Sequence, residues 1–359
     1  MKRKSEKIKI FMKLFRLFII WVGLVFICSF SESKQASNKV STFTPIISSK
    51  AATLLKDGPI RGFTLGLQSK DLNYDYKMLL EEIKATGAPW LSITFTLYQE
   101  TNEASEINIP PAGAPFWLQI ERTSKQAKAL GFRVVLFPIV LLKKSRFRQW
   151  RGTLRPLSYD AWYVSYESLM TQTAQIATRT KADMVSIGSE YASLDRAPKR
   201  WYHVIETVKK FYKGALMYSA NWDALENIHF QDKLDFLGLT GYFDLTKKKD
   251  PTVEELVAAW KPLKKLFFEW QKQKNIPLLF SEVGYTSQDG INMHPWNYTI
   301  EKVLDLQEQK DCYTAFTEVW KDEERLYGVF FYEWFGKGGN DFSYTPRGKP
   351  ALEVAQKWF

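Results

Sequence analysis

From Ile60 onward the chain alternates two hydrophobic patterns. Short runs dense in apolar, β-branched and aromatic residues recur at 60–67, 90–99, 133–142, 183–190, 215–222, 236–243, 277–285 and 326–335, eight in all. Runs of this length with little polar interruption predict strands buried on both faces, as in a parallel sheet. Longer stretches with helical spacing lie between them, among them 72–87, 115–130, 158–181, 198–213, 252–274 and 295–324. Gly87, Gly131 and Gly214 stand where three of these should end, the position that favours a left-handed residue. A strand–helix alternation repeated eight times over about 300 residues predicts a closed (β/α)8 TIM barrel rather than an open sheet.

The first 58 residues read differently. Seven basic residues and one Glu occupy 1–16, an apolar run fills 17–28, and a polar stretch follows. This layout predicts a signal peptide or membrane anchor over 1–28, because a spanning helix needs about 20 apolar residues. The protein is therefore expected to be exported, either secreted or tethered to a membrane on its outer side. Cys28 sits where a lipoprotein cysteine would, but Val25, Phe26 and Ile27 lack the small residue that lipidation requires, so lipidation is the second reading. Residues 29–58, rich in Ser, Thr, Lys and Ala, read as a flexible tether, and 59–359 as a single catalytic domain.

Charge changes the picture little. The formal net charge of +11 invites a nucleic-acid reading, but residues 1–16 supply six of those charges, which leaves an ordinary surface on the barrel. Cys312 is the one cysteine besides Cys28, so the domain has no internal disulfide to form, and His203, His229 and His294 have no ligand spacing. Neither a phosphate-cradling glycine motif nor a G-x-S-x-G elbow occurs at the strand ends. No metal, cofactor, nucleic acid or obligate protein partner is expected.

In this fold the chemistry sits at the carboxyl ends of the strands. Those positions hold Glu100, Glu190, Asn221, Trp222, Tyr242, Glu282, Tyr285 and Trp334. Alone, Glu190 or Glu282 would most often be half of a salt bridge, since a buried carboxylate needs a partner. As a pair ending the fourth and seventh strands, which face each other across a small barrel, they are candidates for acetal cleavage, which needs a proton donor and a second carboxylate at the anomeric carbon. Trp222, Tyr242, Tyr285, Trp334 and Trp117 could stack on sugar rings, Trp334 as the floor of the site. Asn221 could bond a sugar hydroxyl or cap a helix. Glu100 reads as an exposed loop carboxylate, and Glu333 is expected on the opposite face of its strand from Trp334.

Several segments in order, RGFTLG, SIGSEYASLD, YSANWD, LDFLGLTGYF, LLFSEVGYTS and YTPRGKPA, make the chain resemble glycoside hydrolase family 113, β-mannan-degrading enzymes of the retaining clan A. The resemblance implies Glu190 as general acid/base and Glu282 as nucleophile, with Tyr242 beside the nucleophile and Trp334 as the aromatic floor. Where the clan carries Asn before the acid/base to bond the sugar 2-hydroxyl, this chain has Ser189, so mannan as substrate rests on family identity. The expected cycle is attack by Glu282, protonation of the leaving oxygen by Glu190, then release by water that Glu190 deprotonates. Proximity to ionised Glu282 and partial burial should raise the pKa of Glu190. Two other readings stay open: an enzyme for β-glucan, galactan or another glycan, and a surface glycan-binding barrel without activity.

Overall fold

Nine strands form one sheet in the computed structural model of the protein, which describes residues 43–299 and 303–359. They are β1 (Ile60–Gly66), β2 (Trp90–Gln99), β3 (Ile107–Asn108), β4 (Arg133–Leu142), β5 (Met184–Ser189), β6 (Ala215–Ala220), β7 (Phe236–Thr240), β8 (Leu278–Val283) and β9 (Gly328–Trp334). All but β3 run parallel, and pairing of β1 with both β2 and β9 closes them into a barrel. The short β3 is an antiparallel addition to β2. Glu190 therefore follows the fourth barrel strand, β5, and Glu282 lies in the seventh, β8.

The helices are α1 (Ser49–Leu55), α2 (Lys77–Ala85), α3 (Pro115–Ala129), α4 (Tyr159–Thr180), α5 (Pro198–Phe211), α6 (Val253–Lys274), α7 (Leu306–Trp320) and α8 (Ala351–Gln356). Local chemistry sets several of their starts. Ser158 accepts from the Ala161 amide at α4, and Thr252 with Glu255 forms a reciprocal capping box at α6. Among the described residues no helix is long and apolar enough to cross a membrane.

Alternation along the strands divides the core in two. Ile60, Val135, Met184, Met217, Phe236, Leu279 and Phe330 fill the barrel interior, while a larger cluster including Phe63, Trp162, Trp201, Trp260, Phe280 and Phe331 fills the layer between strands and helices.

Two expectations need correction. The segment read as tether is helical over Ser49–Leu55, and Ala51 joins the interior cluster with Leu54 and Leu55 packed against it. The Ser48 hydroxyl donates to Asp235, Lys50 donates to the Gly214 carbonyl at 3.0 Å, and Arg133 donates to the Leu54 carbonyl at 2.9 Å. Each contact reaches the amino-terminal side of the strands, so α1 closes that end of the barrel. The pattern missed it because seven residues are two turns, too few for a period to register. The second correction is the helix expected over 295–324, which begins only at Leu306. Asp305 caps it by accepting from the Glu308 amide at 2.8 Å, and just upstream Leu304 bridges to Gln288 in extended form. The expectations for 1–28 and for the first part of the tether lie outside the described residues.

Candidate active site

Three irregularities in the sheet put polar side chains at the barrel's carboxyl mouth. Register shifts fall between Ser186 and Ser189 on β5, between Leu239 and Thr240 on β7, and between Phe280 and Val283 on β8. A bulge re-aims the side chains that follow it. Glu190 leaves β5 with φ of 58°, a left-handed conformation that costs a residue with a Cβ of order 1 kcal/mol or more and persists only where its surroundings impose it.

Those surroundings are visible. The Glu190 amide donates to the Ser219 carbonyl at 2.8 Å, and the next amide, of Tyr191, donates to the Tyr218 hydroxyl at 3.1 Å. Tyr218 in turn donates to Asp195. The ring of Tyr218 comes so near the β5 backbone that a Cβ on Gly188 would lie 2.6 Å from it, so glycine is required there.

Burial pushes the Asp195 carboxyl up to about 7, assisted by the charge of Glu190 and opposed by the Tyr218 hydrogen bond. A carboxyl raised on folding stabilises fully below its unfolded pKa, near 3.8, and loses that contribution as pH rises through the folded value. The wild-type melting temperature should therefore decline between pH 4 and 8. Asp195→Asn should flatten the decline by the equivalent of roughly 4 kcal/mol; thermal melts with equal slopes for the two proteins would contradict the assignment.

Around the pair itself the hydrogen bonds are uneven. Glu190, 5% exposed, accepts from the Arg151 guanidinium, from Thr240 Oγ1 at 2.7 Å and from Asn221 Nδ2 at 3.3 Å. Glu282, 2% exposed, accepts from the Tyr242 hydroxyl at 3.0 Å, and its Oε1 has no partner among the described residues. Thr240, whose hydroxyl touches Glu190, is itself in register with Glu282. Burial, and then the charge of Glu190, push the Glu282 carboxyl up to about 8, against the pull of Arg151 and Tyr242. Arg151, Thr240 and Asn221 all donate to Glu190, whereas Glu282 receives from Tyr242 alone among the described residues. Burial and a neighbouring carboxylate thus raise Glu282, the partner with fewer donors.

A phenolic wall stands beside Glu282. Tyr242, Tyr332 and Tyr344 pack pairwise with centroids 5.5–6.3 Å apart, and the field of the carboxylates adds to burial in raising all three hydroxyls well above their ordinary range. A third carboxylate, Glu333, accepts from Gln68 and is pushed up to about 7, chiefly by burial.

Of the positions expected at the site, Asn221 bonds Glu190 and Tyr242 bonds Glu282, and both carboxylates lie in the field of Arg151. Trp222 is half-buried at the rim against Phe243. Four do not belong. Trp334 is enclosed in the strand–helix layer, 5.1 Å from Phe63, with its indole donating to Glu82 on α2. Tyr285 is enclosed against Tyr313 of α7. Ser189 has no exposed surface to offer a sugar. Trp117 is likewise enclosed, donating to the Pro110 carbonyl at 3.1 Å.

One bulge explains the misplaced floor. Between Phe63↔Phe331 and Leu65↔Trp334, β9 spends one more residue than β1, so Tyr332 and Glu333 both face the mouth and Trp334 turns outward. Glu333 was expected on the far face for the same reason. Arg151, Thr240, Tyr332 and Tyr344 were also missed. Arg151 lies in the loop after β4 rather than at a strand end, and its only sequence signal is the acid-free basic run 143–155 around it.

A closed parallel barrel that collects buried carboxylates, an arginine and a wall of phenols at its carboxyl mouth defines a barrel enzyme. The chain belongs to glycoside hydrolase family 113, whose family profile matches residues 64–341. Its fold is similar to the family 113 β-mannanase AaManA from Alicyclobacillus acidocaldarius, solved in complex with ManMIm, at 26% identity and a TM-score of 0.74, covering 84% of this chain and 96% of that one. A second structure, of a family 113 β-1,4-mannanase, has the same TM-score of 0.74 at 23% identity, covering 84% and 98%. A β-glucuronidase from Ruminococcus gnavus shares the fold at 14% identity and a TM-score of 0.57, covering 84% of this chain and 50% of that one. Among curated protein sequences none matches the chain. The protein is a glycoside hydrolase.

Proposed function

We propose that the enzyme is a retaining β-1,4-mannanase, with Glu282 as nucleophile and Glu190 as general acid/base. The observation that carries this reading is the pair itself: two enclosed carboxylates from opposite strands, tied through Thr240 and lying in the field of one arginine. Family membership and the β-mannanase neighbours support the substrate.

The chemistry follows from how the pair divides its proton. Attack requires Glu282 as the anion and Glu190 as the acid, and burial raises the Glu282 carboxyl against this. Arg151 interacts with both carboxylates. Movement of its guanidinium from Glu190 towards Glu282 as the sugar enters frees Glu190 to hold the proton. Glu282 then bonds the anomeric carbon while Glu190 protonates the departing oxygen, and Glu190 next takes a proton from the water that displaces Glu282. The Tyr242 hydroxyl, bonded to Glu282, holds the nucleophile's angle. The basic and apolar character of residues 1–28 supports action outside the cytoplasm.

The test is hydrolysis of β-1,4-mannohexaose and β-1,4-glucohexaose followed by proton NMR. The β-anomer of the mannan products should appear first and mutarotate to α. Initial release of the α-anomer would exclude the double displacement, and cleavage of the glucan alone would move the substrate.

A further inference from the structure

The loop after β4 is the least ordinary surface of the barrel. Residues 143–155 hold six basic side chains and no acidic one. Arg151 is bonded to Glu190, and Lys143 and Lys144 share the single carboxylate of Glu100. Arg146, Arg148 and Arg155 form no ion pair among the described residues, and all three are exposed. Two aromatic side chains stand among these charges: Phe147, 87% exposed with the Arg148 guanidinium 5.0 Å over its ring, and Trp150, 37% exposed with Arg151 at 6.0 Å.

The root of this loop is fixed. The Gly152 carbonyl accepts from the Ser193 amide at 3.1 Å, just beyond Glu190, and Asn102 Nδ2 donates to the Thr153 carbonyl at 2.7 Å. The base of the loop is therefore held beside Glu190, and the exposed arginines lie within five residues of Arg151 along the chain.

We infer that this loop binds a polyanionic glycan, so that the chain being cut carries carboxylate or phosphate substituents next to the scissile bond. This rests on the proposed hydrolase activity and names the substrate class of that site. Cations beside a low-dielectric cleft attract and orient a chain of opposite charge, arginine matches carboxylate and phosphate alike, and exposed aromatics give sugar rings a face to lie on. The sugar at the cleavage point itself is neutral, because an anion there would add to the repulsion that Glu190 and Glu333 already exert on Glu282. A membrane surface would suit the same residue types, but it would seal the mouth that the loop borders.

The experiment uses the full-length protein and three probes: β-1,4-mannan, carboxymethyl-mannan and phosphorylated mannan, with phosphatidylglycerol vesicles as a fourth. In affinity electrophoresis the non-hydrolysing Glu282→Ala variant should be retarded about tenfold more strongly by an anionic mannan than by the neutral one, and the difference should vanish in 0.5 M salt, where the Debye length falls to a few ångströms. Preference for one anionic mannan tells carboxylate from phosphate recognition. The triple variant R146Q/R148Q/R155Q should lose the preference while wild-type kinetics on neutral mannan change less than about twofold. Equal retardation by all three mannans, or binding to vesicles alone, would overturn the inference. Retardation without hydrolysis of any mannan by the wild type would leave the anionic site standing and reject the mannanase reading instead.

Discussion

Glu282→Ala should lower kcat on β-1,4-manno-oligosaccharides by roughly 10⁴-fold or more while the barrel remains folded. The side chain is enclosed, and its one donor among the described residues is Tyr242. Removing it leaves that hydroxyl unpaired at a cost of about 1–3 kcal/mol, but also removes a carboxyl that is strained by burial beside Glu190. In the proposed mechanism the loss is chemical, because Glu190 is held from the far strand by Arg151, Thr240 and Asn221 and keeps its own role. Added azide should enter the vacated space and give the glycosyl azide of inverted configuration. Near-wild-type turnover in the variant, or no azide product, would count against Glu282.

Glu190→Ala should separate the two halves of the cycle. On unactivated oligosaccharides the rate should fall by roughly 10²–10⁴-fold, the usual worth of a general acid. On a dinitrophenyl glycoside, whose leaving group needs no proton, formation of the glycosyl-enzyme should fall by less than about tenfold, so that the intermediate accumulates and a burst appears. Azide should then accelerate turnover and give a product of retained configuration. The substitution also releases Arg151 beside Glu282, which keeps the nucleophile ionised. Stopped-flow bursts and the leaving-group dependence check this, and equal losses on both substrates would remove the acid role.

The barrel was legible because each strand is an apolar run buried on two faces, and eight such runs with helices between them admit few other arrangements. Glu190 and Glu282 were legible for the same reason, since counting strands places their side chains. The remaining site residues depend on features that counting does not contain. Trp334 fails as a floor because one extra residue in β9 reverses the facing of everything beyond it, and Tyr332 and Glu333 take the mouth instead. Ser189 fails because β5 shifts register just before it and encloses it. Arg151 reaches Glu190 from a loop whose path no period reveals. The salt bridge to a loop cation, the ordinary use of a buried Glu, is present at Glu190 after all, and in the proposed mechanism the same arginine serves both carboxylates in turn.

Covalent catalysis by Glu282 stands or falls on whether that carboxylate bonds the sugar. Incubation with 2-deoxy-2-fluoro-β-mannosyl fluoride slows the second step and traps the glycosyl-enzyme, and peptide mass spectrometry then locates the label. One fluoromannosyl group per chain is expected, on the peptide containing Glu282. A label on Glu190 would exchange the two roles, and inactivation without any glycosylated carboxylate would contradict covalent catalysis by this pair.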